Sequence, residues 1–289
     1  MAVVKKNEHA AGPLKVSTTP VKREGLCLPT ERSVPDTNLA AYSWLIYGEK
    51  KIGKTSLCAE FPAALLLEFE PGAKSLSAFQ MDVPAWSDAI EICKLLGSTK
   101  HSYQNVVIDI GKIAYERCQS FVCERARIEH PGDLGFGKGW SILANEFKYF
   151  HLDLTANKLG TIIIAHEVMR ERESYSGLKY QTLEPDLTGA SMNFYHGMVD
   201  TIARYFYVGK KRFLAIRGDE SIVAGTRCNN NFLTPSGEPI RYIPMGNSAK
   251  EAYANLVRAF NNQQTETYDS LLTKSVETAG TAPAKKKVG

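Results

Sequence analysis

The chain is sparing with cysteine: its 289 residues include six, scattered as Cys27, Cys58, Cys93, Cys118, Cys123 and Cys228. No C-x-x-C pair occurs, and Cys118 and Cys123 have no histidines near them at zinc-finger spacing, so neither a structural zinc site nor a disulfide framework is expected. Reduced core thiols fit a cytoplasmic compartment. Long apolar runs are missing too, and nothing approaches the ~20 residues of a membrane span. Lys5 and Lys6 precede no apolar stretch, so the first residues do not read as a secretory signal. Charge of one sign is also scarce. The 35 Lys and Arg against 31 Asp and Glu leave a net +4, which permits nucleic-acid binding without arguing for it. There is no internal repeat. The 44% hydrophobic and 23% charged fractions are those of a globular protein with enough chain for one sizeable core.

What is present is a phosphate-binding loop. Gly48-Glu49-Lys50-Lys51-Ile52-Gly53-Lys54-Thr55 matches G-x-x-x-x-G-K-[ST] in full, and Ser56 follows it. The glycines let backbone N–H groups curl around phosphate oxygens, Lys54 reaches the β- and γ-phosphates, and the Thr55 hydroxyl ligates Mg²⁺. Tyr42-Ser43-Trp44-Leu45-Ile46-Tyr47 suits a strand leading in, and residues 55–61 suit a helix that stops at Pro62. The start of such a helix adds partial positive charge to the phosphate site. A bound nucleoside triphosphate is therefore expected.

Around the loop the chain alternates strands and helices. Strands are expected at 63–69, 105–110 and 161–166, and helices at 86–96, 112–128 and 140–157. Continuous apolar strands alternating with helices predict a mostly parallel central sheet covered on both faces. Beyond Asp200 the expectation changes to antiparallel strands at 201–208 and 212–216, and Ser248-Ala249-Lys250-Glu251 is a capping box for a last helix. Residues 1–38 carry Pro13, Pro20, Pro29 and Pro35 with no sustained period and are expected to be a flexible leader. The domain would span 39–262, and 263–289 a polar tail ending in Lys285-Lys286-Lys287.

Ligands of open α/β sheets bind at the carboxyl ends of the strands. Asp109, after Val106-Val107-Ile108, is the expected Mg²⁺ acid. Glu70, just past the strand at 63–69, is the expected base that takes a proton from water attacking the γ-phosphate. Glu68 lies on the same strand face and competes for that role. His166 is the expected γ-phosphate sensor, with Glu167 as the neighbouring alternative.

These motifs, with Gly137-Lys138-Gly139-Trp140 opening a helix and Ile163-Ile164-Ala165-His166-Glu167, occur in an order that resembles the phage-type RecA-like core ATPases. These are AAA-type ATP-binding proteins that include single-strand annealing recombinases. The resemblance covers roughly residues 40–245. It implies a RecA-like P-loop NTPase fold with a C-terminal antiparallel extension, ATP with Mg²⁺, homo-oligomers and single-stranded DNA as partner. It also implies a single-strand-binding protein as a further partner, and the host cytoplasm as the setting if the chain is phage-encoded. Carried over residue by residue, Lys54, Thr55, Asp109, Glu70 and His166 match the family's phosphate, metal, base and sensor positions. Two DNA-contacting loops would fall near 129–139, with Lys138, and 168–194, with Arg170, Arg172, Tyr175, Lys179 and Tyr180. Glu171, Glu173, Glu184 and Asp186 nearly neutralise the second loop. A basic finger acting on a neighbouring subunit would come from Lys210, Lys211, Arg212, Arg217 or Arg227, with Arg227 the leading candidate. Two other classes stay open: an ATP-gated module that loads a helicase or assists packaging, and a small-molecule nucleotide kinase. A GTPase is disfavoured, because Asn157-Lys158-Leu159-Gly160 lacks the Asp of the guanine-reading N-K-x-D motif.

Overall fold

The computed structural model describes residues 28–265 and Tyr268. The chain divides into two units, 1–35 and 36–289. Of the first, residues 28–35 are described and are exposed throughout. Most of the expected leader and most of the expected tail therefore lie outside the described residues. No helix among those described is long and apolar enough to cross a membrane.

The second unit is built on a twisted sheet. Its main strands are β1 (Trp44–Gly48), β2 (Ala64–Glu68), β3 (Phe79–Asp82), β4 (Asn105–Asp109), β5 (Gly160–Glu173), β6 (Lys179–Pro185), β7 (Thr201–Val208), β8 (Lys211–Ala215), β9 (Gly225–Thr226) and β10 (Tyr242–Pro244). The order is β10-β8-β7-β1-β5-β4-β2-β3, with β6 on β5 and β9 on β7. From β7 to β3 every neighbouring pair is parallel, so the carboxyl ends of β1, β2, β4, β5 and β7 share one edge. This is the mostly parallel layout expected of the sequence, with an antiparallel extension through β8 and β10.

The apolar runs are continuous because both sheet faces are buried. Leu45, Tyr47, Leu67, Ile108 and Ile163 point to one face, where they meet α2 (Trp86–Ser98), α3 (Gly111–Ala126), α4 (Lys138–Ala156) and α5 (Gly189–Met198). Trp44, Ile46, Leu66, Val107 and Ile164 point to the other, against α1 (Lys54–Ala59) and α6 (Ala249–Phe260). Period-two alternation thus places successive residues in two separate cores. The α6 cap forms as expected at Ser248, whose hydroxyl accepts the Glu251 N–H at 3.1 Å, while the Glu251 carboxylate accepts from Asn247 N–H at 2.9 Å.

Three expectations need correction. β5 does not stop at His166. It runs on to Glu173 and turns back as β6, so residues 168–185 form an antiparallel hairpin and 189–198 a helix, where a loop was expected. The hairpin carries its own cross-strand ion pairs, which is why so charged a segment holds together as strands. Second, β7 pairs antiparallel with β8 as expected, and with the short β9, but it also joins the parallel sheet beside β1, with Trp44 opposite Thr201 and Gly48 opposite Tyr205. Third, the segment 129–139 is largely helical, as the 3-10 turn Pro131–Leu134 followed by the start of α4.

Candidate active site

Tyr47 and Trp44 anchor β1 inside the two cores, and the chain then leaves the sheet at Gly48. A Cβ at Gly48 would sit on the Tyr205 carbonyl of β7, so only glycine lets the loop rise there. Gly53 caps α1 with φ +104, a backbone conformation that other residues adopt only under strain. Ile52, 1% exposed, pins the middle of the loop into the core.

The cleft above this loop measures about 420 Å³ and is lined by Lys50, Lys54, Glu70, Asp109 and His166 among others. Lys54 is buried, and its ammonium donates to the carbonyls of Gly48 at 2.9 Å and Glu49 at 2.7 Å. Burial pulls its pKa down to about 8, against the opposing pull of Asp109. The Thr55 hydroxyl donates to Asp109 Oδ2 at 2.8 Å. Burial raises the Asp109 pKa, while the Thr55 hydrogen bond and Lys54 oppose it. Asp109 and Glu70 are also joined through the backbone, because the Asp109 carbonyl accepts both Phe69 N–H at 2.8 Å and Glu70 N–H at 3.3 Å.

Glu68 and Glu70 end in different places. Glu70 is exposed on the cleft wall, whereas the Glu68 carboxylate is buried and accepts the N–H groups of Gly72 and Ala73, both at 3.0 Å. His166 stands in register with Gly48, where β5 leaves the parallel sheet. Its Nδ1 is buried and has no hydrogen-bond partner among the described residues. Burial first, then Lys54 and Lys50, lower its pKa, so the ring enters the cleft neutral. Glu167 turns the other way and pairs with Arg204 across β1 at 2.9 Å, both side chains nearly buried.

Sequence reasoning missed that pair. Its one signal is an arginine inside the apolar run of β7.

The remaining candidates lie elsewhere. Lys138 is exposed at the start of α4, and Tyr175 is fully exposed at the tip of the β5–β6 hairpin. Arg170 and Arg172 both pair with the buried Glu184, Arg170 Nε at 2.5 Å, and Lys179 pairs with Glu171 at 2.8 Å. Arg227 follows β9 at the amino edge of β7 and donates to the Gly197 carbonyl at 2.8 Å, at the end of α5. Lys211 and Arg212 begin β8, just past the turn at the carboxyl end of β7, on the same edge as the phosphate loop. Arg212 is held by the Tyr207 hydroxyl at 2.9 Å and the Asn247 carbonyl at 3.0 Å. Residues 157–160 sit before β5 at the amino edge, away from the cleft.

The residues present fit a triphosphate with magnesium. The cleft holds a buried ammonium bonded only to loop carbonyls, a hydroxyl–carboxylate pair of the type that ligates Mg²⁺, and a histidine nitrogen lacking a partner. Fold and cleft together define a P-loop NTPase. The family model of the AAA domain matches residues 40–228, from just before β1 to just past β9, and the chain belongs to that family. Comparison with curated proteins gives no match. Among solved structures, the chain is similar to the KaiC-like protein PH0186 from the hyperthermophilic archaeon Pyrococcus horikoshii OT3. The two share 12% identity with a TM-score of 0.42 over 73% of this chain and 88% of that one.

The depressed Lys54 pKa has a measurable consequence. A triphosphate prefers the protonated amine, so binding raises this pKa. Below pH about 8 the empty site already holds the proton; above it, binding must take one up. Nucleotide affinity should hold steady up to pH about 8 and then fall by as much as about tenfold per pH unit. Calorimetry at pH 8.5 in buffers of different ionisation enthalpy should report proton uptake on binding.

Proposed function

We propose that this chain is a Mg²⁺-dependent ATPase that works on single-stranded DNA in phage-type recombination or annealing. The observation that carries the hydrolytic part is the convergence of Lys54, the Thr55–Asp109 pair, Glu70 and His166 on one cleft. When bound, Mg²⁺ would be held through Thr55 and Asp109 and would offset charge on the β- and γ-phosphates. The N–H groups of 48–56 cradle the phosphates, and Lys54 leaves the Gly48 and Glu49 carbonyls to reach them. Glu70 orients a water for in-line attack on the γ-phosphorus and accepts its proton as the new P–O bond forms and the bond to the β-phosphate oxygen breaks. The neutral His166 hydrogen-bonds the γ-phosphate or the attacking water. Because β5 continues from His166 into the β5–β6 hairpin, loss of the γ-phosphate would be felt along the hairpin.

The DNA part draws on the hairpin and on the order of motifs along the chain. Tyr175 is an exposed stacking platform at its tip, and Lys179, Arg172 and Arg170 follow along the two arms. Lys211 and Arg212 are the best-placed finger residues for a neighbouring subunit's phosphates, since they share the edge of the phosphate loop. Arg227 is engaged at the opposite edge.

One observation favours a second reading, an ATP-gated loading or packaging module. The hairpin cations are already paired with Glu184 and Glu171, which leaves little unbalanced charge for phosphates.

Hydrolysis assays at low salt separate the two. The DNA reading expects single-stranded DNA to raise ATP turnover several-fold, the rise to fade with salt, and Tyr175→Ala to remove most of it. Turnover indifferent to DNA at every salt concentration would favour the module.

A further inference from the structure

Glu68 has a buried carboxylate, yet no cation among the described residues pairs with it. Its partners are the N–H groups of Gly72 and Ala73 at 3.0 Å each, so the carboxylate fills a backbone nest formed by the turn that follows Glu70. The Gln80 amide of β3, turned so that its nitrogen faces Glu68, donates to the second carboxylate oxygen at 3.2 Å and to the Ala73 carbonyl at 3.3 Å. The Glu68 carbonyl accepts Val83 N–H at 2.9 Å, fixing the residue itself between β2 and β3. Glu70 is thus tethered on both sides: its own N–H is bonded to the Asp109 carbonyl, and the turn two residues on is bonded to Glu68.

We infer that Glu68 is a positioning residue for ATP hydrolysis, clamping the 70–76 turn so that Glu70 faces the γ-phosphate. The inference rests on Glu70 being the base. Without the Glu68 carboxylate, the Gly72 and Ala73 N–H groups would lose their partner and the turn would follow solvent rather than the sheet. Glu70 would then drift from the water it must orient. Nucleotide affinity should change little, because the phosphate loop and Lys54 make no hydrogen bond to Glu68.

The test is steady-state ATP hydrolysis together with direct nucleotide binding by Glu68→Ala, Glu68→Asp, Glu68→Gln and Glu70→Gln. Glu68→Ala should lower kcat about 10²-fold while the nucleotide Kd stays within about threefold, the loss expected from an ångström of misplacement. Glu68→Asp, one methylene short of the nest, should lose kcat in the same way and serves if the alanine variant does not fold. Glu68→Gln should keep kcat within about fivefold, since its amide oxygen can take both N–H groups and Gln80 can turn its own oxygen towards the new NH₂. Wild-type kcat in both Glu68→Ala and Glu68→Asp, with Glu70→Gln inactive, overturns the clamp alone. A parallel loss of nucleotide affinity in those variants also overturns it, because the role would then be structural. Wild-type turnover in Glu70→Gln overturns the base assignment itself, and with it the clamp's purpose.

Discussion

Lys54→Ala should bind ATP too weakly to detect and lower turnover by at least about 10³-fold, the upper end of the loss from removing one transition-state donor. Lys54 is the buried cation of the cleft, 5% exposed, and its amine bonds only to carbonyls of the loop it belongs to. A triphosphate brings charge into a site that already holds Asp109 and Glu70, and Lys54 is the buried ammonium there to oppose it, with Lys50 and Lys51 exposed at the rim. Thermal unfolding gives a second readout. In the wild type, ATP at a hundredfold excess over its Kd should stabilise the fold by about 2.7 kcal/mol. For a domain of this size, that is a rise in Tm of roughly 5–10 °C. The variant should show none. It should still fold, because Ile52, Leu57 and Cys58 hold the loop and α1 in the core without help from the amine.

Glu70→Gln should separate binding from chemistry. Glutamine has the same shape, and the backbone bond from residue 70 to the Asp109 carbonyl is unaffected by the change. ATP affinity should therefore stay within about threefold of wild type. Turnover should fall by about 10²–10⁴-fold, the contribution of a positioned general base, since an amide cannot accept the proton from the attacking water. A trapped ATP complex is the practical sign: the variant should hold the nucleotide unhydrolysed in the presence of Mg²⁺. Substituting the neighbouring acid, Glu68→Gln, should leave turnover nearly intact, which separates the two carboxylates two residues apart.

Much of the cleft was legible because its parts hang on buried strands. Leu65-Leu66-Leu67 and Val106-Val107-Ile108 alternate between two cores, so their apolar runs were unmistakable and Glu70 and Asp109 could be placed at one edge. The sequence favours Glu70 over Glu68 because it lies at the strand tip, but it does not show where the Glu68 carboxylate ends. Both point the same way by strand period, and only the turn at Gly72 and Ala73 sends one carboxylate into a backbone nest and leaves the other in the cleft. The continuation of β5 past His166 was hidden for a different reason. Residues 168–173 read Val168-Met169-Arg170-Glu171-Arg172-Glu173, four charges in a row in a largely exposed arm, and what makes them a strand is pairing with residues 179–185, a contact that local pattern does not carry. The parallel sense of β7 was hidden as well, because α5, which carries the chain back to the amino edge, sat inside a segment with no clear helical period. Arg204 shows the same limit: its meaning lies in Glu167, two strands away across β1.

The most direct test of the account is ATP hydrolysis by the wild type and by Glu70→Gln, with Mg²⁺ or with a chelator, in the presence and absence of single-stranded DNA, with particle size followed in the same samples. The account predicts Mg²⁺-dependent turnover in the wild type, raised by the DNA, and none above background in Glu70→Gln although it binds ATP. Tight ATP binding by the wild type with no hydrolysis under any of these conditions, or equal turnover in the two proteins, would contradict it.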